Sequence, residues 1–238
     1  MGESVTNIIS TIRSQADSSG GASSGFRTDA QILKLMQLEW AELYDLMARQ
    51  SEKLFVTHTS GVTDITIVSG TREYSLPSTT PAIKKLVGVD LLTGTDEYTP
   101  LGAADWEMRH NDPLLIYETM IGTPTAYILL GDKIMFVPKP SSGGTVRLWY
   151  VPQAATLVES GPAAGQISSI PAVVEPGWES VIIDGVTARL WKAQGDMEIA
   201  ASFEAAKERK KGDIVYALAN RDQNRPRAVQ LVRRNRRF

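Results

Sequence analysis

Two histidines are the imidazole side chains that this sequence offers for acid–base catalysis or metal binding. His58 lies in the polar segment 57–59, His110 precedes the sequence Asn-Asp-Pro, and neither has a second histidine at helical spacing. The chain has no cysteine, which excludes thiolate nucleophiles, thiolate metal ligands and disulfides. We therefore predict that both histidines lie on the surface or in loops and that the chain holds no metal.

A serine pattern and two pairs of carboxylates are the remaining candidates for chemistry. Residues 21–25, GASSG, match the G-x-S-x-G pattern of hydrolases, but a Ser/Gly-rich stretch stands where that turn requires a strand. Asp105 with Glu107, and Glu179 with Asp184, are predicted to be solvated charges, because nothing in the sequence fixes their separation. The sequence also lacks a Walker A loop and a G-x-G-x-x-G turn. We predict no catalytic residue, no cofactor-binding residue and no enzymatic activity.

The last 18 residues form a basic tail. Seven arginines and one acid give residues 221–238 a net charge of +6, which leaves −8 on residues 1–220 of a chain whose total is −2. Because apolar residues alternate with the arginines, the pattern favours binding to an acidic surface, on a protein or on nucleic acid, over a disordered and merely solubilising terminus. The residues concerned are Arg225, Arg227, Val229, Leu231, Val232, Arg233, Arg234, Arg236, Arg237 and Phe238.

A second binding candidate lies in the predicted strand 145–151. Strand periodicity places Arg147 and Trp149 on one face and Val146, Leu148 and Tyr150 on the other. Arginine and tryptophan are enriched at protein interfaces. The sequence leaves two interpretations open for this pair: an interface, or ordinary packing.

The elements that position these residues come in three blocks. Apolar spacing predicts helices at 4–13 and 30–50, the second capped by Thr28 or Asp29, then a β-rich middle, then helices at 177–192 and from Asp196 onward. Gly212 and Asp213 are predicted to interrupt the last helix. The middle is predicted to contain a short helix at 103–110 and a tight hairpin at Gly131-Asp132. Its strands are predicted at 63–68, 73–76, 83–92, 125–130, 133–137 and 145–151.

The predicted fold class is α+β: a four-helix bundle of N-terminal and C-terminal helix pairs, with an inserted antiparallel β-rich region. The predicted domains are residues 1–61 and 171–220 for the helices, 62–170 for the β region, and 221–238 for the tail. The chain has 238 residues, of which 42% are hydrophobic, and no run of 18 apolar residues, so we predict no membrane-spanning helix. Residues 1–13 lack the features of a signal peptide.

The order of several short motifs resembles the head–tail adaptor proteins of tailed bacteriophages, which are connector-ring subunits below the portal. The C-terminal helical pair, about 178–218, fits the same pattern, so the resemblance covers nearly the whole chain. The motifs are SVTNII at 4–9, FRTDAQILKL at 26–35, EYSLP at 73–77, GTPTAY at 122–127, IMFVPKP at 134–140 and VRLWY at 146–150.

This resemblance implies a structural virion protein without catalysis. The expected assembly is a homo-oligomeric ring, usually of twelve copies, that joins the portal to a tail, tail-tube or nozzle protein and surrounds the DNA passage. The implied location is the virion neck, after assembly in the host cytoplasm and without a membrane. The C-terminal segment of such adaptors commonly reaches into the portal, so residues 225–238 are the expected portal-docking element. The alternative is a DNA-binding structural protein that acts through its Arg-rich tail.

Overall fold

The structure is a computed structural model that describes residues 5–17, 28–79, 81–94, 97–107, 120–158 and 178–223, apart from the side chains of residues 220–223. These residues form four α-helices and antiparallel-rich sheets, so the predicted α+β class is confirmed. Contacts divide the chain into two compact units, which we call the helical unit (residues 1–52 and 156–238) and the β unit (53–155). None of the helices in the described ranges combines the length and apolar content that crossing a membrane requires.

The described residues of the helical unit form four α-helices. The first three begin and end within four residues of their predicted limits. The helices are α1 (Val5–Asp17), α2 (Asp29–Gln50), α3 (Glu179–Gln194) and α4 (Met197–Gln223), with a short 3-10 turn at Glu52–Leu54.

Local sequence signals fix α1 and the start of α2. The apolar stripe of α1 is fully buried, as its spacing predicts. Thr28 caps α2: its hydroxyl accepts a hydrogen bond from the Gln31 backbone N–H at 3.3 Å, and the Gln31 side chain accepts from the Thr28 N–H at 3.1 Å. Arg13 of α1 binds the Asp29 carboxylate at 2.5 Å, which ties the two helices together.

Helix α3 contacts each of the other three helices and is buried on nearly all sides. It ends at Gly195, whose φ of 91° is a left-handed conformation that glycine adopts without strain. Asp196 then accepts a hydrogen bond from the Ile199 N–H at 3.3 Å and starts α4. Helix α4 runs unbroken to Gln223, so the predicted interruption at Gly212-Asp213 was wrong. One glycine costs a helix only about 1 kcal/mol, and burial of the following apolar positions, among them Ile214, outweighs it.

A buried ion network joins α2, α3 and α4. Glu39 of α2 is only 2% exposed, and its Oε1 lies 2.6 Å from Nε of Arg189 in α3. Its Oε2 lies 2.5 Å from Nζ of Lys207 in α4, without the alignment of a hydrogen bond, so this contact is an ion pair. Gly185 of α3 makes room for the carboxylate: a Cβ there would lie 2.6 Å from Cδ of Glu39. A buried charge requires such pairing, so Glu39 holds three helices in one register.

The described residues of the β unit form ten strands, in two four-stranded sheets and one two-stranded pair. The first sheet has the order β1-β10-β3-β4, the second has the order β2-β8-β7-β5, and β6 pairs with β9. The strands are β1 (Asp64–Ile67), β2 (Glu73–Ser75), β3 (Ile83–Leu92), β4 (Tyr98–Pro100), β5 (Gly102–Ala103), β6 (Ile121–Gly122), β7 (Ala126–Leu130), β8 (Lys133–Val137), β9 (Lys139–Pro140) and β10 (Gly144–Pro152).

Side chains from both four-stranded sheets meet in one core. Val146 and Leu148 of β10 are fully buried there with Phe136 of β8. The predicted hairpin is present between β7 and β8, where Gly131 has a φ of 63°. The prediction of a helix at 103–110 was wrong for its first residue, because Gly102–Ala103 form β5 and pair with β7. The backbone N–H groups there donate to carbonyls of the β7 segment instead of to a helical turn, and residues 108–110 lie outside the described ranges.

Two helical glycines give opposite predictions for alanine substitution. Gly185→Ala should lower the free energy of unfolding of the helical unit by about 1–3 kcal/mol, because the new Cβ collides with Glu39. Gly212→Ala is the matched control, since no atom beyond its chain neighbours and its own helix backbone lies within 4 Å of its Cβ position, and it should raise that free energy by about 0.5–1 kcal/mol. Urea unfolding followed by far-UV circular dichroism measures both. A Gly185→Ala protein as stable as the unsubstituted chain would contradict the packing described for Glu39.

Candidate protein-interaction surface

Strand β10 presents Arg147 and Trp149 on the face of its sheet that lies opposite the core. Their neighbours Val146 and Leu148 have no exposed area, whereas both interface candidates are half-buried. The register pairs Arg147 with Asp64 of β1 on one side and with Asp90 of β3 on the other. The structure therefore brings the two sequence-predicted residues together on one outer surface.

The Arg147 guanidinium stacks on an aromatic ring and lies beside a carboxylate. Its Cζ is 4.2 Å from the centroid of the Tyr98 ring, a cation–π contact. Its Nε lies 3.7 Å from Oδ1 of Asp64, which is an ion pair beyond hydrogen-bond distance. The other carboxylate oxygen of Asp64 accepts a hydrogen bond from the Gly61 backbone N–H at 2.9 Å. The Arg147 side chain is 17% exposed.

Trp149 is held in place by three neighbours. Its indole Nε1 donates a hydrogen bond to Oδ2 of Asp90 at 2.6 Å. The His58 ring lies against it, with centroids 4.4 Å apart and planes at 54°. Gly88 on β3 lies beneath the indole, since a Cβ there would be 3.7 Å from the Trp149 side chain. These contacts fix the orientation of the indole.

We call the face formed by Asp64, Asp90, Tyr98, Arg147 and Trp149 the Arg147 surface. Arginine, tyrosine and tryptophan in one patch are the composition of protein-interaction hot spots. Sequence reasoning missed the aspartates and the tyrosine, because their approach to Arg147 depends on strand pairing between residues about 50 to 80 positions apart. The alternation of apolar and polar residues in β3 was the one sequence signal that could have placed Asp90 on the outer face of the sheet.

The other candidate residues lie elsewhere. Asp105 accepts a hydrogen bond from the Glu107 backbone N–H at 3.0 Å, a local turn contact. Glu179 and Asp184 are buried, and Asp184 pairs with Lys210 at 2.5 Å, so the prediction that these two are solvated was wrong. Helix packing between distant segments buries them. The described ranges hold no group of three metal-ligating residues.

Several predicted sites fall outside the described residues. They are the G-x-S-x-G match at 21–25, His110, and the proposed portal-docking residues Arg225, Arg227, Val229, Leu231, Val232, Arg233, Arg234, Arg236, Arg237 and Phe238.

An open cleft of about 480 Å³ lies between α2 and α4 of the helical unit. Lys211 spans it, with Nζ 2.5 Å from Oε1 of Glu42 and 3.1 Å from Oε1 of Glu208. The Lys211 hydrogen bond lowers the pKa of Glu42, against the opposing effect of burial. Burial alone would lower the pKa of Lys211, but its bonds and charge interactions with Glu42 and Glu208 outweigh this and raise it. The Lys211–Glu42 ion pair therefore links α4 to α2 across the cleft.

This ion pair gives the helical unit a predictable acid sensitivity. Because the pKa of Glu42 is lower in the folded state, its contribution is complete above the ordinary value of 4.5 and is lost as pH falls through the lowered value. Glu42→Gln should therefore reduce the fall in the free energy of unfolding between about pH 5 and pH 3. Denaturant unfolding at a series of pH values measures it. Glu198→Gln, an exposed position on α4 outside the cleft, controls for loss of one charge. An unchanged pH slope in Glu42→Gln would refute the assignment.

Comparison with known proteins places this chain in a family. The sequence model of the SU10 adaptor protein family matches residues 4–234. A search of curated proteins finds no match to this chain. The family match spans both the helical unit and the β unit, and it agrees with the resemblance drawn from the order of motifs. The chain belongs to the SU10 adaptor protein family, a family of phage head–tail adaptors.

Proposed function

We propose that this protein is a head–tail connector adaptor that forms a ring between portal and tail and lines the DNA passage. The observation that carries the proposal is the family match, because it extends over residues 4–234 and so over both units. The family role is structural rather than enzymatic. We accordingly assign no catalytic, cofactor-binding or metal-binding role to any residue of this chain.

The proposed architecture is a four-helix bundle with an inserted β region. Contacts of α3 with α1, α2 and α4 support a common bundle, as does the contact of α2 with α4. The β unit separates α2 from α3 in the sequence, which supports its insertion between the two helix pairs. We retain residues 1–61, 62–170, 171–220 and 221–238 as the proposed domains. The β region would lie at the periphery of the ring or toward the tail.

The proposed ring contains about twelve copies, each joined to the next by different faces. A closed ring requires such heterologous contacts, because a two-fold contact would stop at a dimer. The ring would sit in the virion neck, with the portal on one side and a tail, tail-tube or nozzle protein on the other. Assembly would take place in the host cytoplasm, without a membrane. The Arg147 surface is our proposed interface within the β unit.

We propose the basic tail as the portal-docking element. Helix α4 extends to Gln223, so the first three residues of the tail, 221–223, belong to a long helix of the helical unit. Its arginines would form two-pronged bonds with carboxylates in an acidic groove, while its four apolar residues would be buried there. Ordering a segment costs on the order of 1–2 kcal/mol per residue, so the contacts must be extensive. A ring of copies strengthens them through effective concentration.

The second candidate function is DNA binding by the same tail. The observation that favours it is the count of seven arginines against one acid in residues 221–238. Phosphate contacts would make such binding strongly salt-dependent and insensitive to DNA sequence. The charge of −8 on residues 1–220 would oppose it, since it repels the DNA backbone.

Truncation after Gln223 tests the docking proposal, because it removes residues 224–238 of the tail and keeps all the described residues of α4. We expect the truncated chain to keep its far-UV circular dichroism spectrum and to lose binding to the cognate portal, measured by sedimentation or surface plasmon resonance. As a matched control, Arg233, Arg234, Arg236 and Arg237 are replaced by lysine in the untruncated chain. This variant keeps the positive charges but cannot form the two-pronged hydrogen bonds of a guanidinium. It should bind the portal more weakly than the unsubstituted chain but more tightly than the truncation.

Unchanged portal binding by the truncated chain would overturn the docking role of the tail. Binding of the full chain to arbitrary duplex DNA, lost on truncation and abolished by moderate salt, would favour the DNA-binding alternative instead.

A further inference from the structure

No further inference is drawn: the strongest candidate, the outer apolar face of the second sheet of the β unit, where Ile128, Met135 and Val137 pack with Ala104, Ala126 and Leu130, carries no proposal, because nothing in the described part of the chain shows what covers it.

Discussion

The buried carboxylate of Glu39 constrains the whole helical unit. An unpaired charge at 2% exposure costs several kcal/mol, so the fold must bring cations to it. One comes from α3 as Arg189 and one from α4 as Lys207, while Gly185 leaves the space that the carboxylate occupies. Sliding either helix by one turn would separate a charge from its partner. The network therefore adds a charge constraint to the packing of α2 against α3 and α4.

Several cations of α3 and α4 are paired with carboxylates inside the helical unit. Lys210 pairs with Asp184, and Lys211 pairs with Glu42 and Glu208. Arg189 and Lys207 both pair with Glu39. These cations stabilise helix packing and are not presented to a partner. Arg147 of the β unit differs, because its pair with Asp64 is longer than a hydrogen bond.

Sequence reasoning predicted the features that depend on neighbouring residues. The apolar stripe of α1, the Thr28 cap and the Gly131-Asp132 hairpin each need only a few adjacent positions, and all three are present. It failed where distant segments decide the outcome. Helix α4 passes through Gly212 because tertiary burial outweighs a local penalty, and β5 forms because β7 is available to pair with it.

The features of the Arg147 surface also fall into those that local sequence predicts and those that depend on distant segments. The strand period placed Arg147 and Trp149 on one face, since alternation is a local property of β10. The Tyr98 ring under the guanidinium and the Asp90 bond to the indole follow from sheet order, which no local pattern in β10 specifies. These contacts of Arg147 and Trp149 therefore became visible only in the folded chain.

Electron microscopy of the purified chain mixed with its cognate portal tests the central claim most directly. The account predicts a closed ring of copies seated on one face of the portal, coaxial with its channel. Particles showing the portal alone, or the chain bound along DNA rather than to the portal, would contradict it.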